Sequence, residues 1–585
     1  MSRHLASIAL GPLVGPECRR ASRRGWLFAA RTASALLGSA APLVVLWWWW
    51  INWNEAADPD FSPFGPLRGA LAVLVGLGAA IGLVLGPAVL AGSLSGEQER
   101  GSMGLLLTTR VNAFEVVAGR LSGRFSQVAM ILLATAPLML LLAFLSAIGP
   151  ASLLTMLLYG PALALGACGL TAGVAVACRR GRDALLGSYA IGLGLIVAGS
   201  LLPGWTAWGA GLSVLNPFAP IVPLAWAEDP MPALLSASCW LAIGSAGLAA
   251  AIVRLRPNSL KWLDGDSGRR GRRATRRGKI PPLGARPMLW KEIYIERRNS
   301  LGGLGRWLGY LAVGYLVIAS TLLAGRYLDA LLRLGDLARA DEQLSLLQEA
   351  IVDTSSYFGV FIQWAVGLRA AVAIAGERDR ETWDALLTSP LEGREIVGGK
   401  LLGSLHALRW LFLATLFAWS LALGIGAMTP REYLHAIAWT GVISAFMAAV
   451  GVRMSLASST ATTAMAMTIG AWLGAIIGLS MLAGLLTGLG ALGFVLFWVA
   501  STQFGLQSAP APWFPIGGDT GFALLQLLLY AGITSSIVAE SRARFDRLAG
   551  RIVPDDAWAT GEPRPDAPRP GPAAEPVLAS SDQPG

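Results

Sequence analysis

The chain has 585 residues, of which 54% are hydrophobic and only 14% are charged, and its formal net charge is +10. So few charges cannot cover so much apolar surface in water, and the composition therefore excludes an ordinary soluble protein. Apolar runs of about 20 residues recur along the chain, which is the length that a helix needs to cross a bilayer. The sequence predicts an all-α polytopic membrane protein.

Six apolar runs follow a basic N-terminal segment. They lie near 27–50, 68–94, 126–148, 152–178, 184–202 and 233–253. The second half repeats the plan, with runs near 304–325, 355–375, 404–427, 433–457, 462–484 and 521–539. A basic amphipathic segment precedes each set, around Glu17 and around Trp290, and should lie along the membrane interface. We therefore expect two tandem six-helix halves, about twelve transmembrane helices in all, with interfacial lead-in helices.

The domain prediction follows from these runs. Residues 1–255 form the first six-span half, 256–285 a basic linker, 286–550 the second half, and 551–585 a disordered tail rich in Pro and Ala. The basic linker has two possible partners, nucleic acid and anionic lipid headgroups. Its position beside membrane runs favours lipid, so we predict membrane lipid and no nucleic acid as a partner.

The distribution of Lys and Arg predicts the topology. Segments with an excess of basic residues mark the cytoplasmic side, and both termini fall there. The acidic segment 326–354 is then external and is expected to form a helix or a hairpin. Leu485 to Phe504 is a further apolar stretch without a counterpart in the first half. We expect it to be re-entrant or to lie on the outer surface.

Glycines repeat at every fourth position in two of the runs. They are Gly78, Gly82 and Gly86 in one run and Gly470, Gly474 and Gly478 in another. This spacing is typical of helices that pack closely in lipid. The alternative is unselected glycine, since the chain contains 70 of them.

The most informative feature is a repeated charged segment. Gly96 to Gly123 aligns without a gap on Gly376 to Gly403, 280 residues later. Each copy is polar, follows one apolar run and precedes another. Eleven positions are identical, and Arg120/Lys400 keeps its charge. We interpret the two copies as loops on which a partner outside the bilayer acts, because ordinary solvated loop charges would not be kept in both halves.

The candidate site residues come from these two loops. Glu and Arg at a spacing of three can share one helix face, and the Leu-Leu pair that follows would hold the helix to the bilayer side. The candidates are Glu97, Arg100, Leu106, Leu107 and Glu115 in the first loop, and Glu377, Arg380, Thr382, Leu386, Leu387, Pro390 and Glu395 in the second.

The second loop resembles the cytoplasmic loop of type-2 permeases of ATP-binding-cassette transporters, the ABC-2 membrane family. The resemblance rests on Glu377-Arg378, Glu381-Thr382, Leu386-Leu387, Ser389-Pro390 and Glu395-Ile396. Such permeases have six spans and a basic lead-in helix. The first copy departs from the pattern, since Arg110 aligns with Pro390, Gln98 with Arg378 and Met103 with Trp383.

The resemblance implies a function. The chain would be the permease subunit of an ATP-driven transporter, coupled through loops 96–123 and 376–403 to a separate ATPase subunit. Direction is expected to be outward and the location the bacterial inner membrane. Replacing Glu377 or Arg380 by alanine should then uncouple ATP hydrolysis from transport without unfolding the protein.

No enzyme activity is predicted for this chain itself. A phosphate loop needs Gly, four residues, then Gly-Lys-Ser/Thr, and Gly398-Gly399-Lys400-Leu401 lacks the hydroxyl residue. ATP and Mg²⁺ are therefore expected on the partner, with no cofactor in this chain. Neither the cysteines nor the histidines have the spacing of a metal site. The alternatives are an ion-coupled secondary transporter and a non-transporting membrane scaffold. The first usually needs an acidic residue at mid-span, and none is evident.

Overall fold

The computed structural model describes most of the helical part of the chain. The described residues are 14–23, 25–51, 65–99, 111–178, 181–201, 209–264, 286–295, 337–379, 381–389, 391–475 and 518–549, with scattered positions within 310–332 and 478–486. Every regular element within these ranges is helical, and no strand occurs among them. The tail 551–585, most of the linker and nearly all of Leu485–Phe504 lie outside the described residues, so those predictions remain predictions.

The helices are numbered here in chain order. They are α1 (Val14–Ser22), α2 (Gly25–Ile51), α3 (Gly65–Glu99), α4 (Ala113–Leu132), α5 (Ala136–Leu145), α6 (Pro150–Ala177), α7 (Gly181–Leu201), α8 (Gly209–Leu212), α9 (Ile221–Trp226), α10 (Met231–Asp264), α11 (Pro287–Trp290), α12 (Leu337–Arg378), α13 (Trp383–Leu387), α14 (Gly393–Ala407), α15 (Arg409–Ile425), α16 (Pro430–Ala457), α17 (461–475), α18 (Gly518–Ala543) and α19 (Phe545–Ala549). A π-helical turn, Lys291–Ile295, extends α11.

Seven helical stretches in the described residues are long and apolar enough to cross a membrane. They are Leu67–Ser93, Ala113–Leu145, Pro150–Ala177, Met231–Ser259, Phe358–Arg378, Pro430–Ala457 and Ala523–Ala543. The pair α14 and α15 would add an eighth, bent by 50° at its break. These stretches support a multi-pass membrane protein. The twelve-span, two-half arrangement stays a prediction.

Helix α12 includes the part of the acidic segment 326–354 that begins at Leu337. Its residues from Leu337 onward are helical and continue without a break into the candidate span that begins at Phe358. Of the two expectations for this segment, a helix or a hairpin, the helix is correct for its described part. The reason is that nothing in the sequence of α12 breaks the helix, since it contains no proline and its three glycines all lie within the candidate span Phe358–Arg378.

Glycine allows two pairs of helices in the first half to touch at the backbone. A Cβ atom added at Gly169 of α6 would lie 2.3 Å from the carbonyl oxygen of Gly244 in α10. One added at Gly82 of α3 would lie 2.8 Å from the carbonyl oxygen of Gly160. Such close approach is how helices gain contact area in lipid. The predicted packing surface in α3 is thus confirmed at Gly82 and Gly86, whereas an added Cβ would meet no described atom within 4 Å at Gly78, Gly470, Gly474 or Gly478.

The two repeats of the sequence meet in one apolar cluster. It joins Ala88 of α3 to Ala371 of α12 and Ala464 of α17. At its edge, a Cβ added at Gly92 would lie 3.1 Å from Thr462. This packing places the end of α3, where the first charged repeat begins, on the same side of the bundle as the start of α17.

A polar contact fastens the opposite end of the first half. The carboxylate of Glu228 accepts hydrogen bonds from the Arg68 guanidinium at 2.5 Å and from the Gly149 amide at 3.1 Å. The backbone of Glu228 is in the left-handed conformation, with a φ angle of 54°. Three segments, α3, the α5–α6 turn and the approach to α10, therefore meet at one carboxylate. This end lies far from the charged repeats, at the other end of α3.

Candidate functional site

The second charged repeat begins with a buried carboxylate at the end of α12. Glu377 is only 3% exposed. Its Oε1 atom lies 2.7 Å from Nζ of Lys291 and 3.1 Å from Nζ of Lys400. Its Oε2 atom accepts a hydrogen bond from the hydroxyl of Thr382. Glu377 therefore binds the loop at Thr382 from inside the protein and does not present its carboxylate to solvent.

Lys400 extends these contacts to the second lead-in helix. The lysine is completely buried, and its Nζ also lies 2.6 Å from Oε1 of Glu292, an ion pair without hydrogen-bond alignment. Arg369 approaches the other oxygen of Glu292 at 3.7 Å. We call Lys291, Glu292, Arg369, Glu377 and Lys400 the charge network. It joins four elements: the α11 segment, α12, α14 and, through Thr382, the loop before α13.

Further contacts hold the loop between α12 and α13. Arg378 donates hydrogen bonds to the carbonyl oxygens of Leu456 and Ser458, at 3.1 and 2.6 Å. Asp379 accepts one from the Ala461 amide at 3.2 Å. The loop that precedes α13 is thereby fixed to the connection between α16 and α17.

Helix α13 has one buried and one exposed face. Trp383 and Leu386 are buried in a cluster with Phe545 of α19, whose ring centroid lies 6.3 Å from that of Trp383. Leu387 packs at the edge of the same cluster. The predicted Leu-Leu anchor therefore contacts protein side chains of α14, α16 and α19.

The opposite face of this segment is exposed and mainly acidic. The exposed positions with polar or small side chains are Glu381, Thr382, Asp384, Ala385, Thr388, Glu392, Arg394 and Glu395. Arg394 donates a hydrogen bond to the carboxylate of Glu392. This hydrogen bond and the positive charge of Arg394 hold the pKa of Glu392 below its usual value. This surface, which we call the loop face, is the part of the second repeat that a partner could contact.

Glu381 adopts a backbone conformation that glycine tolerates better. Its φ angle is 59°, in the left-handed region, and the aligned residue of the first repeat is Gly101. A residue with a Cβ pays roughly 1 to 2 kcal/mol for this conformation.

We therefore expect Glu381→Gly to stabilise the protein by up to about 1 kcal/mol, the gain being reduced by the greater backbone freedom of glycine when unfolded. Glu381→Ala removes the same carboxylate but keeps Cβ, and should bring no gain. Thermal unfolding of the purified variants in detergent compares the two. Equal midpoints for the two variants would contradict the assignment of backbone strain.

The structure describes fewer of the candidates in the first repeat. Glu97 lies in the last turn of α3. Arg100, Leu106 and Leu107 lie outside the described residues, as do Arg380 and Pro390 of the second repeat. Glu115 is the third residue of α4, and its carboxylate accepts the backbone amide of Asn112 at 2.8 Å. It therefore caps its own helix, and the aligned Glu395 occupies the third position of α14.

The first repeat reproduces part of the charge network. Glu17 of α1 pairs with Arg120 of α4 at 3.2 Å. A Cβ atom added at Gly123 would lie 3.1 Å from Cβ of Glu17, just as one added at Gly403 would lie 2.5 Å from Cβ of Glu292. In both halves a glutamate of the lead-in helix lies against a glycine, and it pairs with the cation that stands three residues before that glycine in the sequence.

Sequence reasoning missed several members of this site. Lys400 and Glu292 were visible, the first as the charge shared with Arg120 and the second in the lead-in segment, but neither was chosen as a site residue. Arg369, which lies near the middle of the candidate span Phe358–Arg378, was not chosen either. No metal-binding group of His, Cys, Asp or Glu occurs among the described residues.

Residues 304–497 match the family model described as ABC-2 family transporter protein. This match supports an ABC-2 type permease. It covers about a third of the chain, from before α12 to beyond α17, and it includes the second charged repeat. Among curated proteins and among solved structures, nothing matches the chain. ABC-2 permease domains are membrane subunits without an ATP site of their own, and the ABC-2 family implies association with an ATP-binding-cassette ATPase.

Proposed function

We propose that this chain is the membrane-spanning subunit of an ATP-driven exporter and that a separate ATP-binding-cassette ATPase binds its loops 96–123 and 376–403. The single observation that carries the proposal is the loop face within the ABC-2 match: a short helix, α13, that exposes one face next to the end of a candidate span. In this proposal the chain lies in a bacterial inner membrane, with both termini in the cytoplasm. The two loops bind two ATPase subunits, either two copies or a related pair.

The local structure suits the transmission of a push. Trp383 and Leu386 fix one face of α13 to the protein, while Asp384 and Ala385 remain exposed on the other. Closure of two ATPase subunits around ATP would press on that exposed face. Because Arg378 and Asp379 bind the loop to the α16–α17 connection, a force on α13 would move the adjoining spans rather than bend the loop.

The proposal predicts that a large cation on the loop face prevents docking. We expect Ala385→Arg to lower the amount of co-purified ATPase about tenfold or more, because the long charged side chain would occupy the surface on which the ATPase docks. A tenfold loss of affinity corresponds to about 1.4 kcal/mol of binding free energy. The matched control is Ala227→Arg, at another exposed alanine at the opposite end of the bundle, and this variant should capture as much ATPase as the wild type. The measurement is affinity purification of the tagged chain in mild detergent, with quantitative mass spectrometry of its partners.

The partner in this experiment is recognised by its own sequence. It must contain the Gly-x₄-Gly-Lys-Ser/Thr phosphate loop that this chain lacks. Capture of such an ATPase by the wild type and by Ala227→Arg, but not by Ala385→Arg, supports the proposal. If gentle preparations of the wild type contain no ATPase, the secondary-transporter or scaffold alternative becomes the better explanation.

A further inference from the structure

The charge network is more deeply buried than a solvated loop would require. Glu292, Glu377 and Lys400 are each at most 3% exposed, and Arg369 is 8% exposed. Charges removed from water cost several kcal/mol each unless opposite charges compensate them. Apolar side chains of similar volume could fill the same space at a lower free-energy cost, so packing alone does not explain why these elements meet through charges.

Lys400 is the only member that contacts both carboxylates within the described part of the network. Its Nζ lies 2.6 Å from Glu292 of the lead-in segment and 3.1 Å from Glu377 at the end of α12. The contact with Glu377 is a charge-assisted hydrogen bond, a class that is stronger than hydrogen bonds between neutral groups. Displacing either carboxylate would remove one of the two carboxylate contacts that compensate the buried ammonium.

The geometry at Gly403 leaves no slack in this arrangement. A side chain there would overlap Glu292, and one at Gly399 would lie 2.8 Å from Met288 of the same lead-in segment. The lead-in backbone therefore rests directly on α14. The first half is built likewise, with Gly123 against Glu17 and with Arg120 in the place of Lys400.

We propose that Lys400 is a positioning residue that makes the second lead-in helix and the docking loop move as one body. This inference rests on the proposed function, because the loop has to receive a push for the linkage to matter. The push on α13 reaches Glu377 through Thr382, and from Glu377 it reaches the lead-in segment both directly at Lys291 and through the fully buried Lys400 to Glu292. Arg120 with Glu17 provides the corresponding link from α4 to α1 in the first half.

The test compares amide hydrogen exchange in the chain alone for wild type, Lys400→Met and Lys400→Arg. Lys400→Met keeps the length of the side chain but removes its charge. We expect exchange in peptides covering 381–389 and 287–295 to rise together, by about tenfold or more, with peptides of α6 and α10 unchanged. Lys400→Arg should restore the wild-type rates, because arginine occupies the aligned position 120.

Glu292→Gln is the second variant, for the case that Lys400→Met does not fold. It keeps the shape of the side chain and should raise exchange in both segments to a smaller degree. Unchanged exchange at 381–389 in either folded variant would overturn the proposal, and so would exchange that rises equally in α6 and α10.

The same variants are then tested for ATPase capture and ATP hydrolysis. If wild type captures no ATPase, the proposed function fails, while the exchange data still decide whether the two segments are linked. Lys400→Met could bind the ATPase, hydrolyse ATP and transmit the ATP-driven conformational change to the lead-in helix as well as the wild type does. In that case the linkage has no mechanical role and the proposal is wrong.

Discussion

Gly169→Ala is expected to destabilise the protein strongly, because it has the shortest added-Cβ distance among the described glycines. The new Cβ would lie 2.3 Å from the carbonyl oxygen of Gly244 and 2.7 Å from its carbonyl carbon. These are backbone atoms, which cannot rotate away, so α6 and α10 must separate. The cost of overpacking is typically 1 to 3 kcal/mol, and we expect about 3 kcal/mol or more here.

Gly441→Ala is the matched control for this prediction. Gly441 lies in α16 with no described atom within 4 Å of an added Cβ. Alanine there should be neutral or stabilising by up to about 1 kcal/mol, because it favours the helix. Thermal unfolding can be followed by a thiol-reactive dye, since Cys168 is fully buried next to Gly169. Equal unfolding midpoints for the two variants would show that the α6–α10 contact does not limit stability.

Glu377→Ala is expected to have the second large effect. Removing this carboxylate leaves the buried ammonium of Lys400 with Glu292 as its remaining carboxylate contact in the network. Breaking a buried ion pair on one side costs about 3 to 5 kcal/mol. We therefore expect a lower unfolding temperature and reduced yield, which revises the expectation that this variant uncouples transport without unfolding.

The control for Glu377→Ala is Glu395→Ala in the same repeat. Glu395 is exposed, and surface substitutions of this kind usually stay within about 0.5 kcal/mol. The comparison requires only the purified chain and a thermal unfolding measurement. If both variants unfold at the same temperature as the wild type and only Glu377→Ala loses transport, the original expectation of uncoupling is the correct one.

The sequence predicted the elements of this molecule better than their partners. Hydrophobic run length and basic loops were sufficient to locate most of the candidate spans, because those signals are local. The repeat alignment identified Glu377 and Leu386 as special. It could not show that Glu377 is buried, since its cations Lys291 and Lys400 come from segments that meet it only in the folded chain.

Small residues illustrate the same limit. Spacing at every fourth position marked Gly82 and Gly470 equally, but only Gly82 lies against another helix backbone in the described structure. The contact of Gly169 with Gly244, the tightest at any described glycine, was not predicted at all. In a chain with 70 glycines, spacing does not reveal which helix faces which. The choice of neighbour depends on the packing of all spans together.

The length of α12 bears on how far a small movement could travel. Its 42 residues correspond to about 63 Å, and about 20 of them precede the candidate span at Phe358. An unbroken helix of that length behaves as a rigid rod. A tilt of about 5° around its Glu377 end would shift the Leu337 end by about 5 Å. A sub-ångström adjustment beside α13 would thus be enlarged several-fold at the remote tip, beyond the apolar stretch.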